Sequence, residues 1–136
     1  MDNLQSLGYF LPEFLIIIAA LFIIVFDLLS LEKSSNLLLG SAFLCIAFLL
    51  YQSPTNGGEI FNGMLINDSF SYYFKWLILI STGSIVLVSK YSKELDREYK
   101  SEFDALIMFV LLGMFLMTNS IDLLMIYLSI ELVSIP

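Results

Sequence analysis

The sequence of 136 residues contains no histidine and one cysteine, and these two shortages remove several kinds of chemistry. Without an imidazole, the side chain that most often serves as a base or metal ligand near neutral pH is missing. Cys45 lies inside an apolar run, so a disulfide, a thiolate metal cluster and a redox dithiol within this chain are excluded.

Basic residues are also scarce, with six Lys and Arg against 13 Asp and Glu and a net charge of −7. This balance speaks against nucleic acid as a partner, because a binding face needs clustered cations. The sequence shows no glycine-rich phosphate loop, no metal-ligand cluster and no nucleophile paired with a base. We therefore expect this chain to hold no metal and no cofactor. Its own chemistry is expected to be the movement of protons.

Long apolar runs are what the sequence has in abundance. Hydrophobic residues make up 59% of the chain and charged residues 14%, against roughly 25% charged residues in an ordinary soluble domain. The apolar residues form continuous runs rather than stripes, which is typical of an integral membrane protein with several spans. The predicted fold class is an all-α transmembrane helix bundle, with a single membrane domain over residues 1–136.

Five spans are predicted from these runs and the breaks between them. They cover residues 11–31, 34–51, 70–89, 103–118 and 122–136. A polar connector at 52–68 contains the turn signal Pro54-Thr-Asn-Gly-Gly58. Its Asn62-Gly63 pair predicts a small hairpin lying on the membrane surface. The charged stretch 90–102 predicts an aqueous loop, for which a docking role is the alternative.

Basic residues predict the orientation of the spans. Those on one side of the five-span arrangement are Lys33, Lys90, Lys93, Arg97 and Lys100. Only Lys75 lies towards the other side. Because cytoplasmic loops carry an excess of Lys and Arg, the amino terminus is expected to face outward. The loop at 90–102 is then expected to face inward, towards the cytoplasm or the mitochondrial matrix.

The fifth span is short for a membrane crossing. As a helix, residues 122–136 would extend about 22 Å, whereas the hydrocarbon layer is about 30 Å thick. On this basis we expect the sequence to be the beginning of a longer protein or one half of a split one. Glu131 would then lie about 13 Å along the span, close to the midplane.

Glu131 is the leading candidate for proton transfer. It stands in an otherwise uncharged apolar run from residue 123 to residue 136. An ionisable group inside hydrocarbon is costly and usually faces the protein interior, which makes it a candidate functional site. Desolvation disfavours the charged form, so such a carboxyl group can hold and release a proton. The alternative is a protonated glutamate that only hydrogen-bonds a neighbouring helix.

Glu13, Asp27 and Lys75 are secondary candidates for proton transfer. Lys75 lies near the outer end of the third span, where we expect it to extend to the lipid headgroups unless it supplies a partner for Glu131. Asp27, close to the inner end of the first span, fits an interfacial or packing role better than a relay. The positive end of the helix dipole explains Glu13.

Three polar or small residues have simpler interpretations. Asn119 and Asp122 fit a tight turn and a helix cap between the fourth and fifth spans. Gly113, beside Met114, is interpreted as a close contact between helices rather than as a binding site.

Motifs at the end of the chain are Glu102-Phe103, Gly113-Met114, residues 119–123 and Leu128-Ser-Ile-Glu131-Leu-Val-Ser134-Ile-Pro136. In this order they resemble an antiporter-like membrane subunit of respiratory complex I, the proton-pumping NADH:quinone oxidoreductase. The subunit is called N in bacteria and subunit 2 in mitochondria. Ile135 stands where the family commonly has leucine. Leu11-Pro12-Glu13 and Asp68-Ser-Phe70 also match, so the resemblance covers nearly the whole chain.

The resemblance implies an antiporter-like fold of about fourteen helices in a bacterial plasma membrane or mitochondrial inner membrane. It implies that Glu131 pairs with a lysine on a later helix, within a hydrophilic axis through which redox energy drives proton transfer. That lysine has no counterpart in these residues. The implied partners are neighbouring antiporter-like and small membrane subunits, the rest of its own subunit, and lipid. NADH, flavin, iron–sulfur clusters and quinone would be bound elsewhere in the complex.

The residues alone leave two other functions possible. A subunit of a multi-subunit sodium/proton antiporter shares the glutamate and has no redox partner. Co-purification with peripheral redox subunits would favour complex I, and sodium-dependent transport without NADH would favour the antiporter. The third hypothesis is a small structural accessory membrane protein. It requires these residues to form a complete functional protein.

Overall fold

Helices dominate the computed structural model of the protein, which describes residues 7–29, 35–53, 58–60, 62–92 and 99–135. The main helices are α1 (Leu11–Leu28), α2 (Ser35–Gln52), α3 (Ser69–Tyr91), α4 (Lys100–Asn119) and α5 (Leu123–Ser134). Two short strands, β1 (Glu59–Ile60) and β2 (Leu65–Ile66), lie between α2 and α3. The mostly helical architecture agrees with the predicted all-α class.

Each of the five predicted apolar segments is helical in the described part. The clearest difference concerns the charged stretch, where α3 continues to Tyr91 and α4 already begins at Lys100. The aqueous loop predicted over 90–102 is therefore helical at both of its ends, since Lys and Glu are good helix formers in water. Residues 93–98, which form its middle, lie outside the described residues, as do residues 54–57 of the turn signal.

Among the described residues, two helices are long and apolar enough to cross a membrane: α3 with 23 residues and α4 with 20. The other apolar helical stretches are shorter: Leu11–Phe26, Leu37–Gln52 and Leu123–Ser134. Large apolar side chains stay exposed on the outer faces, among them Leu21, Phe22, Leu44, Leu77 and Val88. Such continuous apolar surface fits lipid better than water. The number of five spans stays a prediction.

Helix α4 is the centre of the bundle, because α1, α3 and α5 all pack against it. Helix α2 packs on α1 and, less extensively, on α3. Fully buried side chains on α4 are Met108, Leu111 and Phe115, and they meet Ile16, Ile23 and Ile46 in one core. Every buried site described below lies on α4 or on a helix that touches it.

The hairpin predicted from Asn62-Gly63 is present. Strands β1 and β2 are antiparallel, with the pairs Glu59↔Ile66 and Ile60↔Leu65. Asn62 and Gly63 have φ angles of 57° and 84°. Left-handed backbone of this kind is tolerated by Gly and, among other residues, best by Asn, which explains the pair. The placement of the hairpin on a membrane surface stays a prediction.

The hairpin is fastened to the turn between α4 and α5. Leu65, 1% exposed, forms a β-bridge with Ser120. The backbone N–H of Ile121 donates to the carbonyl of Met64 at 3.1 Å. The hairpin therefore lies at the end of the bundle where α4 ends and α5 begins.

Asp68 caps α3, and its removal should be measurable. Its carboxylate accepts a hydrogen bond from the Ser71 backbone N–H at 2.8 Å, which lowers the pKa of Asp68 below its ordinary value. We expect Asp68→Ala to reduce the free energy of unfolding by about 1 kcal/mol, because a helix-end N–H loses its acceptor. Denaturation with a strong detergent in mixed micelles would measure the change.

Asp122 provides the matched control for this cap. It occupies the same position before α5 but makes no side-chain capping hydrogen bond, so Asp122→Ala should have the smaller effect. Equal effects of the two substitutions would contradict the cap at Asp68. The Asp68 contribution should be present above the ordinary pKa of 3.8 and be lost as pH falls through the lowered folded-state pKa. Asp68→Asn should remove that pH dependence.

Candidate functional site

A buried ion pair joins α1 to α3 at the end of the bundle where both helices begin. The Lys75 ammonium donates a hydrogen bond to Glu13 Oε1 across 62 positions of sequence. The two side chains are 2% and 0% exposed. Glu13 is the third residue of α1 and Lys75 the seventh of α3. The pair therefore lies within about two turns of the start of each helix.

Helix α4 contributes a third polar group to the same place. Asn119, the last residue of α4, is fully buried, and its Nδ2 donates to Glu13 Oε1 at 3.2 Å. One turn earlier, the Phe115 ring centroid lies 5.6 Å from the Lys75 ammonium nitrogen, within the range of a cation–π contact. We call Glu13, Lys75 and Asn119 the Glu13 cluster.

The hydrogen bonds of the Glu13 cluster are unevenly distributed. Both donors converge on Glu13 Oε1. Glu13 Oε2 and Asn119 Oδ1 are equally buried, yet neither receives a hydrogen bond from any described residue. Buried polar atoms in native proteins almost always have a partner. The cluster thus keeps two acceptor atoms directed into the protein interior.

The observed positions correct two sequence-based expectations and extend a third. Lys75 does not extend to the headgroups, because the Glu13 carboxylate offsets the penalty of burying its ammonium group. Glu13 is the counter-ion of a lysine, not merely a residue at a helix dipole. Asn119 ends α4 directly before the turn, as predicted, and is in addition a buried hydrogen-bond donor to Glu13. Glu13 and Lys75 both lie within about two turns of the same end of the bundle. This similar depth could have indicated that they pair.

Glu131 occupies a different environment. Its side chain is exposed on α5, and the Tyr127 hydroxyl one turn earlier donates to its Oε1 at 2.5 Å. Among the described residues no lysine forms an ion pair with Glu131, and Lys75 pairs with Glu13 instead. The depth of Glu131 at the membrane midplane and its role in proton transfer stay predictions.

The interpretation of Gly113 as a close helix contact is confirmed. A Cβ atom on Gly113 would lie 2.7 Å from Val133 Cγ2 and 3.2 Å from the Ser129 carbonyl oxygen. Ser129 is fully buried on this side of α5. Glu131, two residues later, is turned by about 200° around the helix axis. The close approach at Gly113 therefore directs Glu131 away from α4.

Two further acidic residues lie in the helices, Asp27 in α1 and Asp104 in α4. Asp27 belongs to α1, but its side chain lies outside the described ones, so its interfacial role stays a prediction. Asp104, which the sequence patterns did not single out, is 2% exposed in α4 with Oδ2 lacking a described partner. Within the described ranges, no three His, Cys, Asp or Glu side chains gather as a metal site.

Comparison with curated proteins gave relatives along nearly the whole chain. The chain is 37% identical to NADH-quinone oxidoreductase subunit N of Anaeromyxobacter sp. (strain Fw109-5), aligning 98% of its length with 27% of that protein. It is 36% identical to subunit N of Chlorobium chlorochromatii (strain CaD3), aligning 95% with 26%. It is 38% identical to subunit N 2 of Sorangium cellulosum (strain So ce56), aligning 99% with 29%.

The chain thus spans about a quarter of the length of the relatives it matches, 27% and 26% for the first two. No protein-family model matches it. No solved structure matches it significantly.

Proposed function

We propose that the chain corresponds to the amino-terminal part of NADH-quinone oxidoreductase subunit N, to which it is similar over nearly its whole length, and that it forms part of a proton-translocating membrane subunit of such an oxidoreductase. The complex would couple electron transfer from NADH to quinone with proton movement, and this chain would hold no redox centre. Similarity over 95% to 99% of the chain carries the proposal. Its partners would be the other membrane subunits and the lipid bilayer.

In this proposal all five main helices cross the membrane as the start of an antiporter-like fold of about fourteen helices. The exposed apolar side chains on α1, α2 and α3 support contact with lipid. The amino terminus would face outward, because Lys90 and Lys100 lie at the opposite end of the bundle from Glu13 and Lys75.

Glu131 would be the proton-transfer residue. Two observations support this role. Glu131 is an ionisable group on the apolar helix α5, and it lies on the face of α5 that the described helices leave uncovered. Tyr127 holds the carboxyl group by a hydrogen bond from its hydroxyl. The uncovered face would contact the remainder of the subunit, which would supply the lysine that tunes the glutamate.

Glu131→Gln tests the proposal in the full subunit within the assembled oxidoreductase. Glutamine keeps the size and hydrogen bonding of the side chain but cannot ionise. We expect the complex to assemble and NADH-driven acidification of membrane vesicles to fall several-fold, because a proton carrier has been removed. NADH oxidation by an artificial electron acceptor should be unchanged.

Glu102→Gln is the matched control, since Glu102 is an exposed glutamate in the first turn of α4. It should leave proton pumping unaltered. Unchanged pumping in Glu131→Gln would show that Glu131 is structural. Sodium-dependent proton transport without NADH, in a membrane lacking redox subunits, would contradict the proposed function and favour an antiporter.

A further inference from the structure

We propose that Glu13, Lys75 and Asn119 bind an internal water molecule and form a second protonation site, with the exchangeable proton carried on Glu13 Oε2. The site lies on α1, α3 and α4 and is separate from Glu131 on α5. Its use in transport rests on the proposed function, whereas its protonation and its bound water do not.

The proposed water would be held by the hydrogen-bond donors and acceptors of the cluster. Glu13 Oε2 and Asn119 Oδ1 belong to hydrogen-bonded neighbours, and both are buried acceptors without a described protein donor. A water molecule can donate one hydrogen bond to each of them. The Lys75 ammonium has three N–H groups and uses one on Glu13 Oε1, so another can donate to the water. Three polar partners are the usual number for a buried water.

The same arrangement selects Oε2 as the atom that takes up a proton. Oε1 already accepts from Lys75 and Asn119, so its lone pairs are occupied. A proton that arrives through the water forms an O–H bond with Oε2 and turns the carboxylate into a carboxylic acid. Its return to the water restores the ion pair. Both protein donors stay on Oε1 throughout, and no other bond forms or breaks.

The charge of the cluster changes by one unit in this cycle. With Lys75 as ammonium and Glu13 as carboxylate the pair is neutral, and uptake of one proton makes it singly positive. The Phe115 ring contacts the Lys75 ammonium in both states, so this cation–π partner remains when the carboxylate charge is lost. Among the described residues, Lys75 is the one charged group that contacts Glu13.

The position of the cluster suits proton exchange with one membrane surface. Asn119 is followed directly by Ser120, to which the hairpin is attached. Counted from the helix starts at 1.5 Å per residue, Lys75 lies about 9 Å and Glu131 about 12 Å from this end. The cluster therefore lies nearer the surface than Glu131, on the side that the basic residues predict to face outward.

Infrared difference spectroscopy of the assembled oxidoreductase in lipid, recorded between high and low pH, tests the site. We expect a carboxylic acid C=O band that shifts in deuterated water and is absent in Glu13→Gln. Because that variant leaves Lys75 unpaired and can fail to fold, Glu13→Gln/Lys75→Gln provides a neutral pair that should also lack the band. Asn119→Leu should keep the band, change its pH dependence and lose an internal-water O–H band.

The possible results distinguish a failure of this site from a failure of the proposed function. A full C=O band remaining in the neutral double variant would overturn the site, even if Glu131→Gln abolished pumping. Unchanged water bands in Asn119→Leu would overturn the bound water. With the site present, NADH-driven pumping in the neutral double variant should fall several-fold while artificial-acceptor activity persists. Loss of the band without any change in pumping would overturn the use of this site in transport.

Discussion

Lys75→Met is expected to reduce the free energy of unfolding by about 3–5 kcal/mol, the range measured when one partner of a buried ion pair is removed. Methionine fills a similar volume but carries no charge. The Glu13 carboxylate, 0% exposed, would lose its ammonium partner and keep the Asn119 amide as its donor among the described side chains. Denaturation in mixed detergent micelles, followed by helical circular dichroism, would measure the loss.

Lys90→Met is the matched control, because Lys90 is an exposed lysine on the same helix. Exposed substitutions of this kind usually change stability by less than about 0.5 kcal/mol. Glu13→Gln/Lys75→Met should recover most of the loss, since both charges have been removed together. A double variant as unstable as Lys75→Met would show that the two residues are not energetically coupled.

Gly113→Ala is expected to reduce the free energy of unfolding by about 1–3 kcal/mol through overpacking between α4 and α5. The new methyl group would meet Val133 Cγ2 at 2.7 Å and the Val133 backbone nitrogen at 3.2 Å. Valine has a stiff side chain and the backbone cannot move by itself, so the helices must separate. The same denaturation experiment would measure the effect.

Gly40→Ala controls for the change from glycine to alanine in a helix. A Cβ atom on Gly40 of α2 would have no neighbour within 4 Å. Alanine should then leave stability unchanged or raise it by up to about 1 kcal/mol, because it favours helix. Adding Val133→Ala to Gly113→Ala should restore only part of the loss, since the contact with the Ser129 carbonyl oxygen remains. Wild-type stability of Gly113→Ala would contradict the close approach.

Local sequence patterns predicted the features that depend on a few neighbouring residues. The apolar runs located the five helical segments, and Asn62-Gly63 located the hairpin because left-handed backbone favours these residues. Gly113 was correctly interpreted because a small residue in an apolar helix commonly marks a close contact.

The pairing of Glu13 with Lys75 could not be obtained in this way. It depends on which face of each helix turns inward, and an amphipathic stripe normally provides that information. Helices that are apolar on all sides have no such stripe, so the direction of a lone charged side chain is undetermined. The buried hydrogen bond of Asn119 was missed for a related reason. A polar residue at a helix end looks like a local cap, although here it donates to a residue 106 positions away.

Helix α4 contacts both Glu13 and the helix that carries Glu131. Its last residue, Asn119, is hydrogen-bonded to Glu13, and its Gly113 is packed against the buried face of the helix that carries Glu131. When two binding sites share one rigid element, the coupling between them is reciprocal. If a proton on Glu13 shifts α4 enough to change the proton affinity of Glu131 by some factor, then a proton on Glu131 changes the affinity of Glu13 by that same factor.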